Sequence, residues 1–302
     1  MADSSLRLPE GIHAGVPEAA YHADCAPEPS LSNSLATILL AQSPMHAKHA
    51  HPRLRSPADD EKPRDATAAM DFGSALHKRL LGRGAEIEVI PFPDYKKDVA
   101  KDRRDEARQF GRIPILQKDM PRLDAAAEAA MAQMLDHQDC VDFFAPGQSE
   151  AVLVWQESDV WCRGMVDRLP DHPHAPAFDI KTTDMSAAPA SWDRRMVHAY
   201  RTQAPFYGRG LTRLRGYAPP PMRFIVVEAQ APHAISVMCP APSLYQMGMA
   251  DVERAIRTWA ECMKSSAWPG YPPFTAHIEA PTWLLNAQAD QSIRDEFLEA
   301  AQ

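Results

Sequence analysis

The stretch that decides the fold lies between residues 149 and 182 and carries three strand-like segments. Residues 149–155 read Ser-Glu-Ala-Val-Leu-Val-Trp, and residues 160–169 read Val-Trp-Cys-Arg-Gly-Met-Val-Asp-Arg-Leu. After a Pro- and His-containing loop at 170–176, residues 177–182 read Ala-Phe-Asp-Ile-Lys-Thr. Three consecutive strands with short connections predict an antiparallel meander.

Helical patterns surround these strands. Ser32-Asn33-Ser34 is an N-cap signal, and Ser43-Pro44 is expected to end the helix that follows it. Further helices are predicted at 67–81, 120–136, 189–208, 243–264 and 290–300. Further strands are predicted at 87–90, 222–227 and 234–238, the last two as a hairpin. Helices around one central sheet predict an α/β domain with an N-terminal helical elaboration.

The composition excludes several classes of protein. The chain has 302 residues, with 32 Lys and Arg against 40 Asp and Glu, so its net charge of −8 excludes histone-like binding of DNA by bulk positive charge. The five cysteines include no Cys-x-x-Cys pair, which argues against a zinc site, an iron–sulfur cluster and a disulfide framework. No apolar run reaches the roughly 18 residues of a membrane span, and the N-terminus lacks signal-peptide features. We therefore expect a soluble, cytoplasmic protein without a membrane partner.

Several familiar motifs are missing from the sequence. It has no Gly-x-x-x-x-Gly-Lys-Ser/Thr phosphate loop, no Gly-x-Gly-x-x-Gly after a strand, no His-Glu-x-x-His and no Gly-x-Ser-x-Gly. An ATP-driven motor, a dinucleotide enzyme, a zinc peptidase and a serine hydrolase of the α/β type are therefore disfavoured. His46, His49 and His51 cluster in sequence, but the surrounding loop favours a solvated surface over a metal site.

Acidic residues remain as the candidates for chemistry. Asp167 lies near the end of the second strand, and Asp179 and Lys181 share one face of the third, two residues apart. Glu150 opens the first strand and can reach the same face. Carboxylates that converge in a partly buried place repel one another, and a divalent cation removes that cost. An all-oxygen set suits Mg²⁺, with Mn²⁺ as its substitute, better than zinc.

Lys181 adds a group that a purely structural metal site does not need. An ammonium beside the metal can position the attacking water or stabilise charge on a phosphate in the transition state. Acidic side chains, a divalent metal ion and a lysine together are typical of a site that hydrolyses phosphodiester bonds. The alternative is a surface ion pair on a strand, which the apolar strand around Asp179 disfavours.

The order of these residues resembles the PD-(D/E)XK nuclease core, and within it the RecB-type and RecE-type exonucleases of the exonuclease VIII kind found in phages and prophages. Three other segments support the resemblance: Gly73-Ser74-Ala75-Leu76-His77, Gln203-Ala204-Pro205-Phe206-Tyr207 and Trp268-Pro269-Gly270-Tyr271. The likeness extends from about Leu31 to Tyr271.

The resemblance implies a restriction-endonuclease-like core with a central mixed sheet flanked by helices. Residues 1–30 contain Pro and Ala without a clear period and are predicted to form an irregular arm, which is followed by the nuclease domain at 31–275 and a helical tail at 276–302. Asp167, Asp179 and the Ile180 carbonyl would bind metal, and Lys181 would be the catalytic lysine.

The resemblance assigns the remaining site residues as well. His77 and Glu150 would complete one or two metal shells, and Gln203 and Tyr207 would contact DNA or support the site. Because proline kinks a helix, the facing of Gln203 and Tyr207 is secure only if Pro205 falls in the first helical turn.

The activity implied is that of a Mg²⁺-dependent exodeoxyribonuclease that degrades double-stranded DNA from its ends, 5′ to 3′, in phage-type recombination. A ring-shaped homo-oligomer and a single-strand annealing protein as partner are implied too. The basic stretch 96–112 would line the DNA path, or form a solvated surface. The alternatives are a structure-specific or nicking endonuclease on the same core and a catalytically inactive DNA-binding module.

Overall fold

A computed structural model describes residues 6–56 and 66–300 of the chain. The chain divides into a large unit, Met1–Gly270, and a small one, Tyr271–Gln302, which holds a single long helix among its described residues. No helix in the described ranges combines the length and the apolar character needed to cross a lipid bilayer.

The strands and helices follow one another in an order that mixes the two types along the chain. In the described residues the strands are β1 (Gly11–His13), β2 (Leu31–Ser32), β3 (Ile87–Ile90), β4 (Ile113–Leu116), β5 (Gly147–Glu157), β6 (Val160–Pro170), β7 (Phe178–Thr183), β8 (Arg223–Glu228) and β9 (Ile235–Met238). The α-helices are α1 (Glu18–His22), α2 (Asn33–Ala41), α3 (Pro44–Ala50), α4 (Ala68–Leu81), α5 (Asp98–Gln109), α6 (Met120–Asp136), α7 (Pro189–Arg195), α8 (Gln203–Arg215), α9 (Pro242–Ser265) and α10 (Thr282–Ala300). A π-helical turn, Met196–Tyr200, follows α7.

The central sheet is mixed, as the sequence predicts. Its strand order is β1-β5-β6-β7-β8-β9, with β2 added beside β6. The pairs β5–β6, β6–β7 and β8–β9 are antiparallel, which confirms the meander and the hairpin, while β7 and β8 run parallel through the crossover that contains α7 and α8. β3 and β4 form a separate two-stranded parallel sheet.

The sheet opens between β6 and β7, where their registered pairing consists of Arg168 opposite Phe178. Past this pair the backbone N–H of Ile180 donates to the side chain of Asp167, 2.7 Å away, instead of to a strand carbonyl. The two strands therefore diverge at the point where both carry acidic residues.

Helices cover both faces of the sheet and enclose two apolar cores. On one face α2, α8 and α9 bury Trp155, Phe206 and Trp259, and on the other α4 and α6 bury Leu76 and Leu123. Complete burial of a side chain such as Leu76 or Phe206 stabilises the fold by about 1.5–3 kcal/mol. These two cores fix the sheet and α4 relative to each other, which positions the opening between β6 and β7.

From residue 6 on, the N-terminal segment differs from the irregular arm predicted for residues 1–30, of which 1–5 lie outside the described residues. β1 pairs with β5 and forms an edge of the central sheet, and α1 buries Ala20 and Tyr21. The prediction was wrong because a three-residue strand and a five-residue helix are too short to show a period in the sequence.

A buried polar cluster ties this segment to β6. Asp24 and Ser30 are completely buried, and the Asp24 carboxylate accepts hydrogen bonds from Ser30 Oγ at 2.6 Å and from Arg163 Nη1 at 3.1 Å. His51 Nε2 lies 3.2 Å from Asp24 Oδ2, and its ring packs against Trp259. The expectation of a solvated surface at His51 was wrong, because the ring is completely buried in this cluster.

Helix boundaries agree with the local signals in most places. Ser32 and Thr67 cap α2 and α4, each by a side-chain hydrogen bond to a backbone N–H three residues later. Ser43-Pro44 ends α2 as predicted but also starts α3, since Ser43 caps the new helix and Pro44 occupies its first turn.

The basic stretch 96–112 forms α5 and its flanks, and its charges are largely neutralised. Arg108 donates to Asp71 at 2.7 Å, Lys101 to Asp98 at 2.9 Å and Arg112 to Glu88 at 3.0 Å. The pairs of Lys101 and Arg112 are exposed and add little to stability, whereas that of Arg108 anchors α5 to the start of α4.

Candidate active site

The opening between β6 and β7 collects polar side chains from four elements. β6 supplies Asp167, β7 supplies Asp179 and Lys181, α4 supplies His77, and α8 supplies Gln203. The alternation of side chains along a strand places Asp179 and Lys181 on one face of β7, toward this opening.

Asp167 is held by the neighbouring strand and by α4. Its Oδ2 accepts the Ile180 N–H at 2.7 Å and lies 3.7 Å from Nδ1 of His77. Burial, and then the negative charge of Asp179, raise the pKa of Asp167 to about 6, against the smaller opposing effects of His77 and Lys181. Ionisation of this carboxyl group is therefore unfavourable in the metal-free site. A raised pKa of this kind is typical of a carboxyl group that binds a cation.

Asp179 lies between an ammonium and an amide. Its Oδ2 is 2.5 Å from Nζ of Lys181, as an ion pair without a well-oriented hydrogen bond, and its Oδ1 accepts from Nε2 of Gln203 at 2.5 Å. The side chain is almost completely buried. Oδ2 thus has unused capacity to accept a hydrogen bond or to bind a cation.

Lys181 is the cationic member of the group. Burial alone would lower the pKa of Lys181, but Asp179 and Asp167 outweigh burial and raise it, so the amine stays protonated. Its Nζ also lies 4.8 Å from the centre of the Tyr200 ring. Tyr200 ends the π-helical turn and has no signal in the sequence that would single it out.

His77 completes one side of the opening. Its Nε2 lies 2.8 Å from the Ile180 carbonyl oxygen while Nδ1 faces Asp167. A neutral ring protonated on Nε2 donates to Ile180, so that carbonyl is oriented toward α4. The predicted ligand atoms of Asp167 and Ile180 therefore both contact the same imidazole.

Gln203 is placed by the start of α8. Thr202 precedes the helix, the Phe206 N–H donates to the Thr202 carbonyl at 2.9 Å, and Pro205 falls in the first turn. The condition stated for Gln203 and Tyr207 is thereby met, since proline in a first turn breaks no hydrogen bond. Gln203 is 6% exposed and donates to Asp179, an arrangement that supports the site rather than meeting DNA.

Tyr207 is buried beneath β6 and is 7% exposed. Its ring lies over Gly164, where an added Cβ would be 2.7 Å from Cε1 of the ring. Burial raises the pKa of Tyr207 well above its usual range, so the phenol is neutral. Of the two roles predicted for Tyr207, this placement favours support of β6 over contact with DNA.

Glu150 stands apart from the two aspartates. The register places Ser149 opposite Arg168 and Ala151 opposite Val166, so Glu150 lies across from Asp167, but its φ of 54° interrupts the regular strand. Its Oε1 packs against Gly84, just after α4. Burial and then Glu18 raise the pKa of Glu150, opposed by Arg83, His77 and Lys78. Among the described residues Glu150 does not join Asp167 and Asp179 in one group of ligands, and its predicted metal role stays a prediction.

The donor atoms at the opening limit the kind of metal ion that could bind there. Across residues 6–56 and 66–300 no three His, Cys, Asp or Glu side chains are grouped so that they could hold one ion. The oxygen set at the opening consists of the Asp167 and Asp179 carboxylates and the Ile180 carbonyl. Mg²⁺ commonly binds to proteins through one or two carboxylates and fills its other positions with water and phosphate oxygens. The residues therefore fit Mg²⁺ or Mn²⁺ rather than a fully protein-enclosed ion.

A groove of about 460 Å³ lies beside this set and reaches Ile180 and Lys181 but neither aspartate. Its walls are one face of α4 and the end of β7, with His77, Ile180 and Lys181 among the lining residues. A substrate in this groove would therefore meet the reactive groups from the α4 side.

Comparisons with known proteins bear on the family and the fold of this chain. A family model described as a PDDEXK-like domain of unknown function (DUF3799) matches residues 41–278. A solved structure from Eubacterium rectale, described as a "putative exonuclease", has a similar fold, with a TM-score of 0.53 at 13% sequence identity. The match covers 92% of this chain and 99% of that one.

The solved structure of SSO0001 matches 61% of this chain and 84% of its own at 14% identity, and its TM-score of 0.23 is too low to indicate a shared fold. A search of the curated proteins finds no sequence that matches this chain.

Proposed function

Because the chain belongs to the PDDEXK-like family DUF3799, within the PD-(D/E)XK nuclease superfamily, we propose that it hydrolyses phosphodiester bonds of DNA with Mg²⁺. The observation that carries the proposal is the meeting of Asp167, Asp179, the Ile180 carbonyl and Lys181 where β6 and β7 separate. A structural ion pair between Lys181 and Asp179 would be complete by itself. It would not require Asp167, a second carboxyl group with a raised pKa, beside it.

The protein's own groups have distinct tasks in this reaction. Mg²⁺, when bound by Asp167, Asp179 and the Ile180 carbonyl, would polarise the phosphate and lower the pKa of a bound water. Gln203 holds Asp179 in place, and His77 orients the Ile180 carbonyl. Lys181, kept protonated by its acidic neighbours, would orient the attacking water and stabilise negative charge on the phosphate.

The substrate and direction of attack are proposed from the family resemblance. We expect an exodeoxyribonuclease that requires the end of a DNA duplex and proceeds 5′ to 3′, in a recombination reaction of the phage type. The protein would form a ring-shaped homo-oligomer, and a single-strand annealing protein would be its partner. The E. rectale structure, described as a "putative exonuclease", supports the exonuclease assignment through its fold only.

The first experiment tests hydrolysis itself. End-labelled linear duplex should be shortened with Mg²⁺ or Mn²⁺ and left intact with EDTA. Asp179→Asn and Lys181→Ala should each lower the rate at least about a hundredfold, because each removes a group that acts on the reacting atoms. Asp171→Asn, an exposed acid outside the groove, serves as the matched control. Full activity in both site variants would show that the site is assigned wrongly.

The second experiment distinguishes an exonuclease from an endonuclease on the same core. Covalently closed circular duplex should survive an amount of protein that degrades the linearised form completely. Nicking or linearisation of the circle would identify an endonuclease instead. Labels at the 5′ or 3′ end of the linear duplex report the polarity, since only the attacked end releases its label early.

A further inference from the structure

The Lys181 ammonium has one charged partner and two aromatic ones. Its Nζ is 2.5 Å from Oδ2 of Asp179, 4.8 Å from the centre of the Tyr200 ring and 6.0 Å from that of Phe224. A cation that lies over an aromatic ring within about 6 Å of its centre is attracted by the electron-rich face. Lys181 is therefore held both by a carboxylate and by rings that carry no charge.

The ring of Tyr200 is fixed by its own neighbours. Trp192 stacks on it, with the ring centres 5.9 Å apart and the planes at 11°, and the Phe224 ring lies 6.1 Å away. Trp192 is 1% exposed, and its Nε1 donates to the Ser186 carbonyl at 3.1 Å. Packing therefore sets the position of the Tyr200 ring independently of the lysine.

An irregular piece of backbone brings Tyr200 to this position. Tyr200 ends the π-helical turn Met196–Tyr200, which follows α7. Such turns are rare in proteins and are frequent at functional sites. Three residues later, Gln203 donates to Asp179 from the start of α8. One short segment of the chain therefore contacts both members of the ion pair between Lys181 and Asp179.

A bound metal ion would affect the two attachments of Lys181 differently. In the proposed function Asp179 is a ligand of Mg²⁺, so its carboxylate would divide its attraction between the metal ion and the ammonium. The metal ion and the ammonium would also repel each other, because they carry like charges. The face of an aromatic ring is not a ligand of Mg²⁺, which binds oxygen atoms, so the attraction between Tyr200 and Lys181 would persist.

We propose that Tyr200 is a positioning residue, whose ring face keeps the Lys181 ammonium in the active site while Asp179 binds the metal ion. This inference rests on the proposed nuclease function. Tyr200 acts through Lys181 and needs no contact with DNA. The lysine side chain is flexible and 20% exposed, so without the ring it would turn toward solvent when the metal ion binds.

Variants that remove or keep the ring test the inference in hydrolysis. Tyr200→Leu should lower kcat about tenfold and leave KM within about twofold of the wild-type value, because the attraction between a partly desolvated cation and a ring contributes about that factor. Tyr200→Phe keeps the ring and should restore kcat to within about twofold of wild type. Tyr245→Leu is the matched control, since Tyr245 lies on α9 and packs against the same apolar core as Tyr200.

Crystals of the protein grown with Mg²⁺ and without DNA test the position of Lys181 directly. In the wild type, Mg²⁺ should bind to the Asp179 carboxylate while Nζ of Lys181 stays within about 6 Å of the centre of the Tyr200 ring. In Tyr200→Leu the lysine side chain should leave this position. The wild-type measurement does not depend on the folding of any variant.

The outcomes separate this inference from the proposed function. The inference is wrong if Tyr200→Leu hydrolyses DNA at the wild-type rate, or if Tyr200→Phe or Tyr245→Leu loses as much activity as Tyr200→Leu. It is also wrong if Mg²⁺ binds to Asp179 and Nζ of Lys181 moves away from the ring in the wild type. The nuclease would still stand in each of these cases. If the wild type hydrolyses no DNA with Mg²⁺ or Mn²⁺, the proposed function itself fails.

Discussion

The ionised form of Asp167 destabilises the fold, yet it is the form that the proposed chemistry requires. Burial and the neighbouring Asp179 raise its pKa to about 6, from a usual value near 4. A carboxyl whose pKa is raised in the folded state makes folding less favourable as it ionises. Its unfavourable contribution therefore grows from about pH 4 to about pH 6 and is complete at neutral pH.

We expect Asp167→Asn to abolish hydrolysis while making the metal-free protein more stable at pH 7 by about 1 kcal/mol. Asparagine keeps an oxygen that can accept the Ile180 N–H but removes the repulsion from Asp179. Urea unfolding in EDTA measures the change, and at pH 4, where Asp167 is protonated, the gain should disappear. A loss of stability at both pH values would show that the carboxylate is structural.

The sequence predicts most of the candidate site at this scale. Asp167, Asp179 and Lys181 follow from strand alternation and from the loop between two strands, and the structure places them together. The position of the Glu150 side chain does not follow, because it depends on a backbone φ of 54° that no residue type in the strand announces.

At the scale of elements, the contact of α8 with β6 depends on the absence of a side chain at Gly164. Gly164 lets the Tyr207 ring lie directly on the strand, and an added Cβ would be 2.7 and 2.9 Å from two ring carbons. α8 also carries Gln203, which holds Asp179, so a displacement of this helix is transmitted to the site.

Gly164→Ala should destabilise the protein by about 1–3 kcal/mol, because the added Cβ would overlap with the buried Tyr207 ring. Gly73→Ala is the matched control, since its Cβ would lie an acceptable 3.7 Å from Thr182 and alanine favours a helix. Thermal or urea unfolding measures both. In a Tyr207→Ala background the cost of Gly164→Ala should nearly vanish, and equal costs in both backgrounds would contradict the contact.

Elements with a strong local pattern are predicted from the sequence, whereas some of the short ones are not. The long β5 and β6 and the 24-residue α9 lie where apolar periodicity predicts them. β4 has four residues, includes Pro114 and pairs in parallel with β3, so a distant partner rather than its own sequence makes it a strand. The same is true of β2, which consists of two residues beside β6.

At the scale of the whole molecule, Asp24 connects the N-terminal segment, α3 and the central sheet. Burial raises the pKa of Asp24, but hydrogen bonds from His51 and Ser30 and the charge of Arg163 outweigh it, and the net pKa is lowered. A carboxylate with a lowered pKa stabilises the fold above its unfolded pKa, near 4, and this stabilisation is lost as the pH falls through the folded value.

We expect Asp24→Asn to lower the free energy of unfolding at pH 7 by about 3 kcal/mol, because it leaves the buried Arg163 without its counter-charge. The difference between wild type and variant should shrink as the pH falls below about 4, where the wild-type carboxylate becomes protonated. Urea unfolding from pH 7 to pH 3 measures it. A difference that stays constant over this range would mean that the charge of Asp24 is not the stabilising feature.

The burial of His51 could not be predicted from the sequence, because its contacts are distant along the chain. Its partners Asp24 and Ser30 are more than 20 residues away, and Trp259 is more than 200 away. Only the complete tertiary structure brings these groups together, so a loop-like local sequence indicates exposure wrongly.

The hydrogen bond from Ile180 to Asp167 has a practical consequence for observing this molecule. A backbone amide proton that is bound to a carboxylate changes its NMR chemical shift when the carboxylate gains or loses charge. The Ile180 resonance in a ¹⁵N-labelled sample would therefore act as an internal indicator of what happens at the adjacent acid. Diamagnetic Mg²⁺ or fragments of calf-thymus DNA could be titrated into such a sample. The Ile180 resonance would then report the occupancy of the site without a measurement of hydrolysis.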